Sequence, residues 1–157
     1  DKQHVVFYRV IKHIEFVVPI FEAVYKPVFY TRVGLRYIDV INRENLGLEK
    51  VSWNELIKPH VLGIMTPDIE TGIKSYMADA EYQNPENTSV TKVHFELVHV
   101  NNQKELSLLI DCDYYSQSTT QKESVNTMAD MLHANSSNFI NNAITERLSS
   151  AMEPVEI

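Results

Sequence analysis

Apolar residues recur near the start of the chain at Phe7, Ile11, Ile14, Val18, Phe21 and Tyr25, with Val10, Val17 and Val24 beside them. Spacings of three and four put these side chains on one wide stripe of an α-helix. Pro19 has no N–H to close the preceding turn, so a kink or break is expected near Val18. The density of β-branched residues makes a strand over Val5–Val10, followed by a shorter helix, the competing prediction. The helix is preferred, and Pro27 ends it.

From about Val28 to Ile41 the period changes to two, which predicts one long β-strand. Phe29, Val33, Leu35, Tyr37 and Ile41 share one face; Arg32, Gly34 and Arg36 share the other. Gly34 leaves a gap between the two arginines where a backbone, a bulky side chain or a ligand could approach. The polar run Asn42–Lys50, which holds Gly47, is a loop. Ser52 reads as a helix N-cap with Glu55 completing a capping box, and Trp53, Leu56, Ile57, Val61 and Leu62 predict a short helix ending near Gly63. A lone tryptophan in such a helix is expected in the core, against the alternative of an exposed anchor for a partner.

Three strands follow in the pattern: Ile73–Tyr82, then Val93, Phe95 and Leu97 alternating with Lys92, His94 and Glu96, then Leu106, Leu108, Ile110, Cys112 and Tyr114 with Ser107, Asp111 and Asp113 opposite. Asn84–Asn87 and Asn101–Lys104 are turns by composition. Val125, Met128, Leu132, Phe139, Ala143 and Leu148 keep helical spacing almost to Met152, which predicts a terminal helix of about 30 residues, or roughly 45 Å. A rod of that length overhangs so small a domain, and a second subunit is expected to cover it. The layout is α+β: one domain over residues 1–157, with an antiparallel sheet, helices on one face and a long C-terminal helix. Because Asp1 is not an initiator methionine, the chain reads as the C-terminal part of a longer protein.

Charge is unevenly distributed. Residues 1–50 hold eight Lys/Arg against six Asp/Glu, whereas residues 51–157 hold six against fifteen. No concentrated basic face emerges, so nucleic acid is not an expected partner. No apolar stretch reaches membrane-spanning length and no signal-peptide pattern opens the chain, so a membrane is not expected and a cytoplasmic setting is. Cys112 is the only cysteine, which excludes an internal disulfide and a thiolate metal cage.

The main candidate cluster combines Arg32 and Arg36 with Asp111 and Asp113, the charged positions of otherwise apolar strands. If the two strands are neighbours, arginine–carboxylate pairing satisfies all four charges, as an ion-pair network or as a pocket whose arginines hold a small anionic ligand. His94, Glu96 and His99 lie close in sequence, but they lack fixed metal-ligand spacing and no metal is expected. His133 is expected on a helix surface or at an interface. Cys112 has no feature that would lower its pKa and is expected to be inert. Four glycines cannot supply a Walker loop or a dinucleotide fingerprint, and no cofactor is expected.

The stretch Arg32-Val33-Gly34-Leu35-Arg36-Tyr37-Ile38-Asp39-Val40-Ile41 resembles the central signature of a sporadically distributed family of uncharacterised prokaryotic proteins, an R-[VI]-G-L-R-Y-I-N-like strand. Asp111-Cys112-Asp113-Tyr114-Tyr115, Leu132-His133 and Phe139–Thr145 are similar to its acidic stretch, its leucine–histidine pair and its F-x-x-x-I-T segment. Asp39 stands where the family usually carries asparagine, and the family's N-terminal segment is absent here. The resemblance implies a shared framework that includes Arg32 and Arg36, and it implies no activity. A non-catalytic protein-interaction or ligand-binding module, self-associating through the terminal helix, is the expected function. The alternatives are an enzyme whose small anionic substrate is held by Arg32 and Arg36 with Asp111 or Asp113 as base, and a partner-binding component of a defence or toxin–antitoxin locus.

Overall fold

The structure, a computed structural model, describes residues 2–100 and 105–152. Helix α1 (Lys2–Tyr25) runs through Pro19 without interruption, so the dense β-branched residues do not divert its start into a strand. It ends where Lys26, ahead of Pro27, takes a left-handed conformation and donates its N–H to the Glu22 carbonyl at 2.9 Å.

The single strand predicted from Val28 to Ile41 is two strands. β1 (Phe29–Tyr30) and β2 (Gly34–Ile41) are separated at Thr31–Val33. The cause is the length of β2's partner. The main sheet runs β2-β5-β4-β3, all antiparallel, with β3 (Met77–Gln83), β4 (Ser89–His99) and β5 (Leu106–Ser116). β5 stops at Ser116, which exchanges bonds with Val33 through its N–H (2.9 Å) and its Oγ (3.0 Å). Beyond that point the chain pairs instead with β6 (Thr120–Gln121), in a separate two-stranded ribbon. The expected turn at Asn101–Lys104 lies outside the described residues; on either side of it His99 stands opposite Leu106.

The helix predicted after Ser52 is also divided, into α2 (Trp53–Leu56) and α3 (Pro59–Leu62), because Pro59 holds Lys58 extended and restarts the helix at its own first position. A further turn, α4 (Pro67–Glu70), follows Thr66. The capping box does not form. Ser52 Oγ donates to Glu70, which also accepts the Trp53 N–H at 3.0 Å, so a carboxylate 17 residues away caps α2. Glu55 instead pairs with Arg147.

The long C-terminal helix is present as α5 (Val125–Ala143), but the rod breaks before α6 (Glu146–Met152). Ile144 is extended and pairs with Ile57; Lys58 N–H donates to the Ala143 carbonyl and Thr145 N–H to that of Leu56. This short antiparallel link binds the end of α5 to the α2–α3 corner and removes the expected overhang.

The fold is α+β, with its core between one sheet face and the helices. Leu108, Ile110, Cys112 and Tyr114 of β5 meet Leu132, Ile140 and Ala143 of α5, while Trp53, Leu56, Ile57 and Leu148 close the corner. The opposite sheet face lies open. No helix among the described residues is long and apolar enough to cross a membrane.

Candidate functional site

Alternation along β2 and β5 decides which side chains reach the open face. On β2 these are Arg36, Ile38 and Val40; on β5 they are Leu109, Asp111, Asp113 and Tyr115. The four charged residues expected to meet do so, on this open face and on the side of the sheet away from α5. Arg36 reaches Asp111 with two bonds, Nε to Oδ1 at 2.8 Å and a terminal nitrogen to Oδ2 at 2.5 Å. Arg32 bonds Asp113 Oδ2 at 2.6 Å and lies 4.4 Å over the Tyr115 ring.

Arg32 is not on the strand, as the alternation had suggested, but on the turn that precedes it. Its guanidinium crosses the sheet just above Gly34. A Cβ placed on Gly34 would stand 2.8 Å from Arg32 Nη1 and 3.3 Å from the Tyr114 carbonyl. The gap left by this glycine is therefore filled by the chain's own arginine.

Neighbouring strands enlarge the cluster. His94 on β4 meets Asp79 of β3 at 2.8 Å through Nδ1 and Glu96 at 3.3 Å through Nε2. Lys92 meets Glu81 at 3.1 Å, and Tyr115 donates to Glu81 at 3.3 Å. Together they border a shallow depression of about 450 Å³ lined by Arg36, Asp79, Glu81, Lys92, His94 and Asp111. The bond from Arg36 holds the Asp111 carboxyl below its ordinary range. The bond to Asp79 raises the His94 imidazole; burial opposes the rise and Glu96 adds to it.

The sequence pattern places Lys92, His94 and Glu96 on one strand face, but it gives no sign that Asp79 and Glu81 would join them. That depends on the β3–β4 register, in which Asp79 faces His94 and Glu81 faces Lys92. Among the described residues no group of three or more His, Cys, Asp or Glu side chains is arranged to hold a metal ion. His99 lies exposed at the far end of β4.

Two other expectations concern the inner side. Cys112 is buried, and burial pushes its thiol up to about 12, as suits an inert core cysteine. His133, expected on a helix surface or at an interface, is buried inside the domain: its Nδ1 lies 2.9 Å from Tyr37 Oη and its ring stacks on Phe7 of α1 at 3.7 Å. The reason is that α5 presents Leu132 and His133 together to the sheet.

A second ionic centre has no local signature. Arg43 bonds Glu105 at 2.5 Å, Glu70 at 2.5 Å and the Val51 carbonyl at 2.7 Å, and lies 4.5 Å over Trp53. Burial raises the Glu70 carboxyl, but bonds from Ser52, Arg43 and the Trp53 N–H outweigh it and leave the group lowered. Glu105 Oε2 is buried without a hydrogen-bond partner among the described residues. No family model, curated protein or solved structure matches the chain.

Proposed function

We propose that this chain is a non-catalytic protein-interaction or ligand-binding module that associates with itself. The observation that carries the reading is the apolar surface of α1. Phe16 and Tyr25 are 71% exposed, and Val10, Val17, Ile20, Phe21 and Val24 beside them are also exposed. The apolar side chains of α1 thus greatly exceed what the body of the protein covers, and exposed apolar surface on this scale marks a place where another surface docks.

The charged face supports the same reading. An enzyme acting on a small anion would need arginines free to clamp it and a carboxylate free to take a proton. Here Asp111 is engaged by Arg36 and Asp113 by Arg32. Arg32, Arg36 and Lys92 stand among Asp79, Glu81, Glu96, Asp111 and Asp113, so the face carries no surplus of positive charge even with His94 protonated. An anionic ligand at Arg32 and Arg36 would have to displace Asp113 and Asp111. In this role the four residues act as a framework that fixes β2 against β5. Sedimentation velocity of the purified chain tests the reading: a species heavier than the 18.1 kDa monomer is expected at micromolar concentration, and a clean monomer would overturn self-association.

A further inference from the structure

The half-buried positions of α1, Phe7, Ile11, Ile14, Val18 and Glu22, recur every three to four residues and face the body. A second series lies about a third of a turn round the helix: Val10, His13, Val17, Ile20 and Val24, all exposed. Its steps are three, four, three, four. That is the 3.5-residue repeat with which two helices keep a common seam, with valine at each of the three first-type positions. A stripe needed only for the core would not repeat this way on the solvent side.

The size of the patch fits one kind of occupant. Phe16 and Phe21 flank the seam and are 71% and 41% exposed, which at ~200 Å² for a whole aromatic side chain leaves roughly 220 Å² of ring surface open beside it. With Val10, Val17, Ile20 and Val24 the open apolar area on this side of the helix reaches roughly 450–500 Å², more than half of the ~800 Å² per partner of a stable interface and in the upper half of the ~300–600 Å² of a monomer's largest patch.

We propose that this seam is the contact with a second copy of the chain, formed by antiparallel packing of two α1 helices about a two-fold axis near Val17. The inference rests on the self-association reading and adds the surface that performs it. A seam of identical residues is self-complementary under a two-fold axis, so residue i meets j and j meets i. Parallel packing would set the two His13 rings against each other at the same level of the seam. Antiparallel packing sets each against Ile20 of the other copy and brings Val10 of one opposite Val24 of the other.

Sedimentation of the wild type, V17E and I38E tests this, I38E altering an exposed apolar residue of the open sheet face. Val17 is exposed, so V17E is expected to fold with an unchanged circular dichroism spectrum and to weaken the dimer by more than about tenfold, the equivalent of 1.4 kcal/mol or more. I38E is expected to leave it intact. A V17E dimer as tight as the wild type overturns the seam while self-association stands; a monomeric wild type overturns both. Cysteine variants fix the direction: mixed V10C and V24C chains are expected to cross-link to each other under oxidant. V10C cross-linking to itself instead overturns the antiparallel arrangement.

Discussion

Arg36 stands directly opposite Asp113 in the β2–β5 register, yet its guanidinium bonds Asp111, two residues along the partner strand. The diagonal leaves Asp113 to Arg32, which reaches it from the turn before the strand. Each arginine thus leans to the next carboxylate, and the two pairs run as parallel struts across the edge of the sheet. Lys92, the neighbour of Asp113 on the other side, is drawn to Glu81 instead.

Gly34 is the piece that permits the second strut. Adding a methyl group there places it 2.8 Å from Arg32 Nη1, so G34A is expected to push the guanidinium off Asp113. An exposed pair of this kind contributes about 0.2–1 kcal/mol, and the loss should lie in that range. The diagnostic is non-additivity: R32A/G34A should be no less stable in urea than R32A by more than about 0.5 kcal/mol. Fully additive losses would mean that Gly34 acts through the Tyr114 carbonyl rather than through Arg32.

The two ionic centres should respond differently to truncation. The Arg36 side chain is 62% exposed, whereas that of Asp111 is only 16% exposed, so removing the arginine strands a largely covered carboxylate. R36A should melt below the wild type and below K50A, whose lysine is exposed in a loop. Arg43 is far better covered and holds two carboxylates. R43A should cost about 3–5 kcal/mol, as expected when one partner of a buried ion pair is removed. Denaturant titration of the three variants orders them, and R43A equal to K50A would remove the Arg43 centre from the list of stabilising features.

His94 makes part of the stability depend on pH. Its folded pKa is raised above the ordinary value of 6.5 by Asp79, so the protonated form favours the folded state. That contribution is complete below about pH 6.5 and is lost as pH rises through the higher folded value. Asp111 runs the other way: with its folded pKa lowered, its contribution is present above about pH 4 and is lost as pH falls through the folded value. H94N should therefore lower the melting temperature more at pH 6 than at pH 9. A gap independent of pH would show that His94 and Asp79 do not form a charged pair.

The open-face charges could be anticipated from sequence because β2 and β5 alternate cleanly, and alternation is a local property. Arg36, Asp111 and Asp113 needed only the adjacency of two strands to meet, and Arg32 joins them from the turn before β2. The features that sequence missed are set by distant partners. The break at Thr31–Val33 follows from where β5 ends, the end of α5 from Ile57 pairing with Ile144, and the cap of α2 from Glu70 taking the role expected of Glu55. Glu70 and Glu105 lie 27 and 62 residues from Arg43, and no spacing rule connects them. Along α1 the same apolar residues were visible, but which of the two stripes faced the body could not be read from their periods. Val10, Val17 and Val24 looked like flanking positions and form the exposed seam.

Asp39 offers the last test, since it is the one acidic residue on the inner face of β2. It sits half-buried between Tyr37 and Ile41, with no carboxylate bond among the described residues comparable to those of Asp111, and burial raises its pKa. For an acid held above its ordinary value the linkage reverses: the neutral form is favoured on folding, and stability is lost as pH rises from the unfolded pKa, near 4, through the folded one. Above that window a constant cost remains. D39N removes the charge and keeps the shape. At pH 7.5 D39N should melt higher by about 2–4 °C, the equivalent of roughly 1 kcal/mol in a domain of this size. The advantage should shrink as the pH approaches 4, where Asp39 itself becomes neutral. A variant that melts lower than the wild type at pH 7.5 would mean that the ionised carboxylate makes a favourable contact.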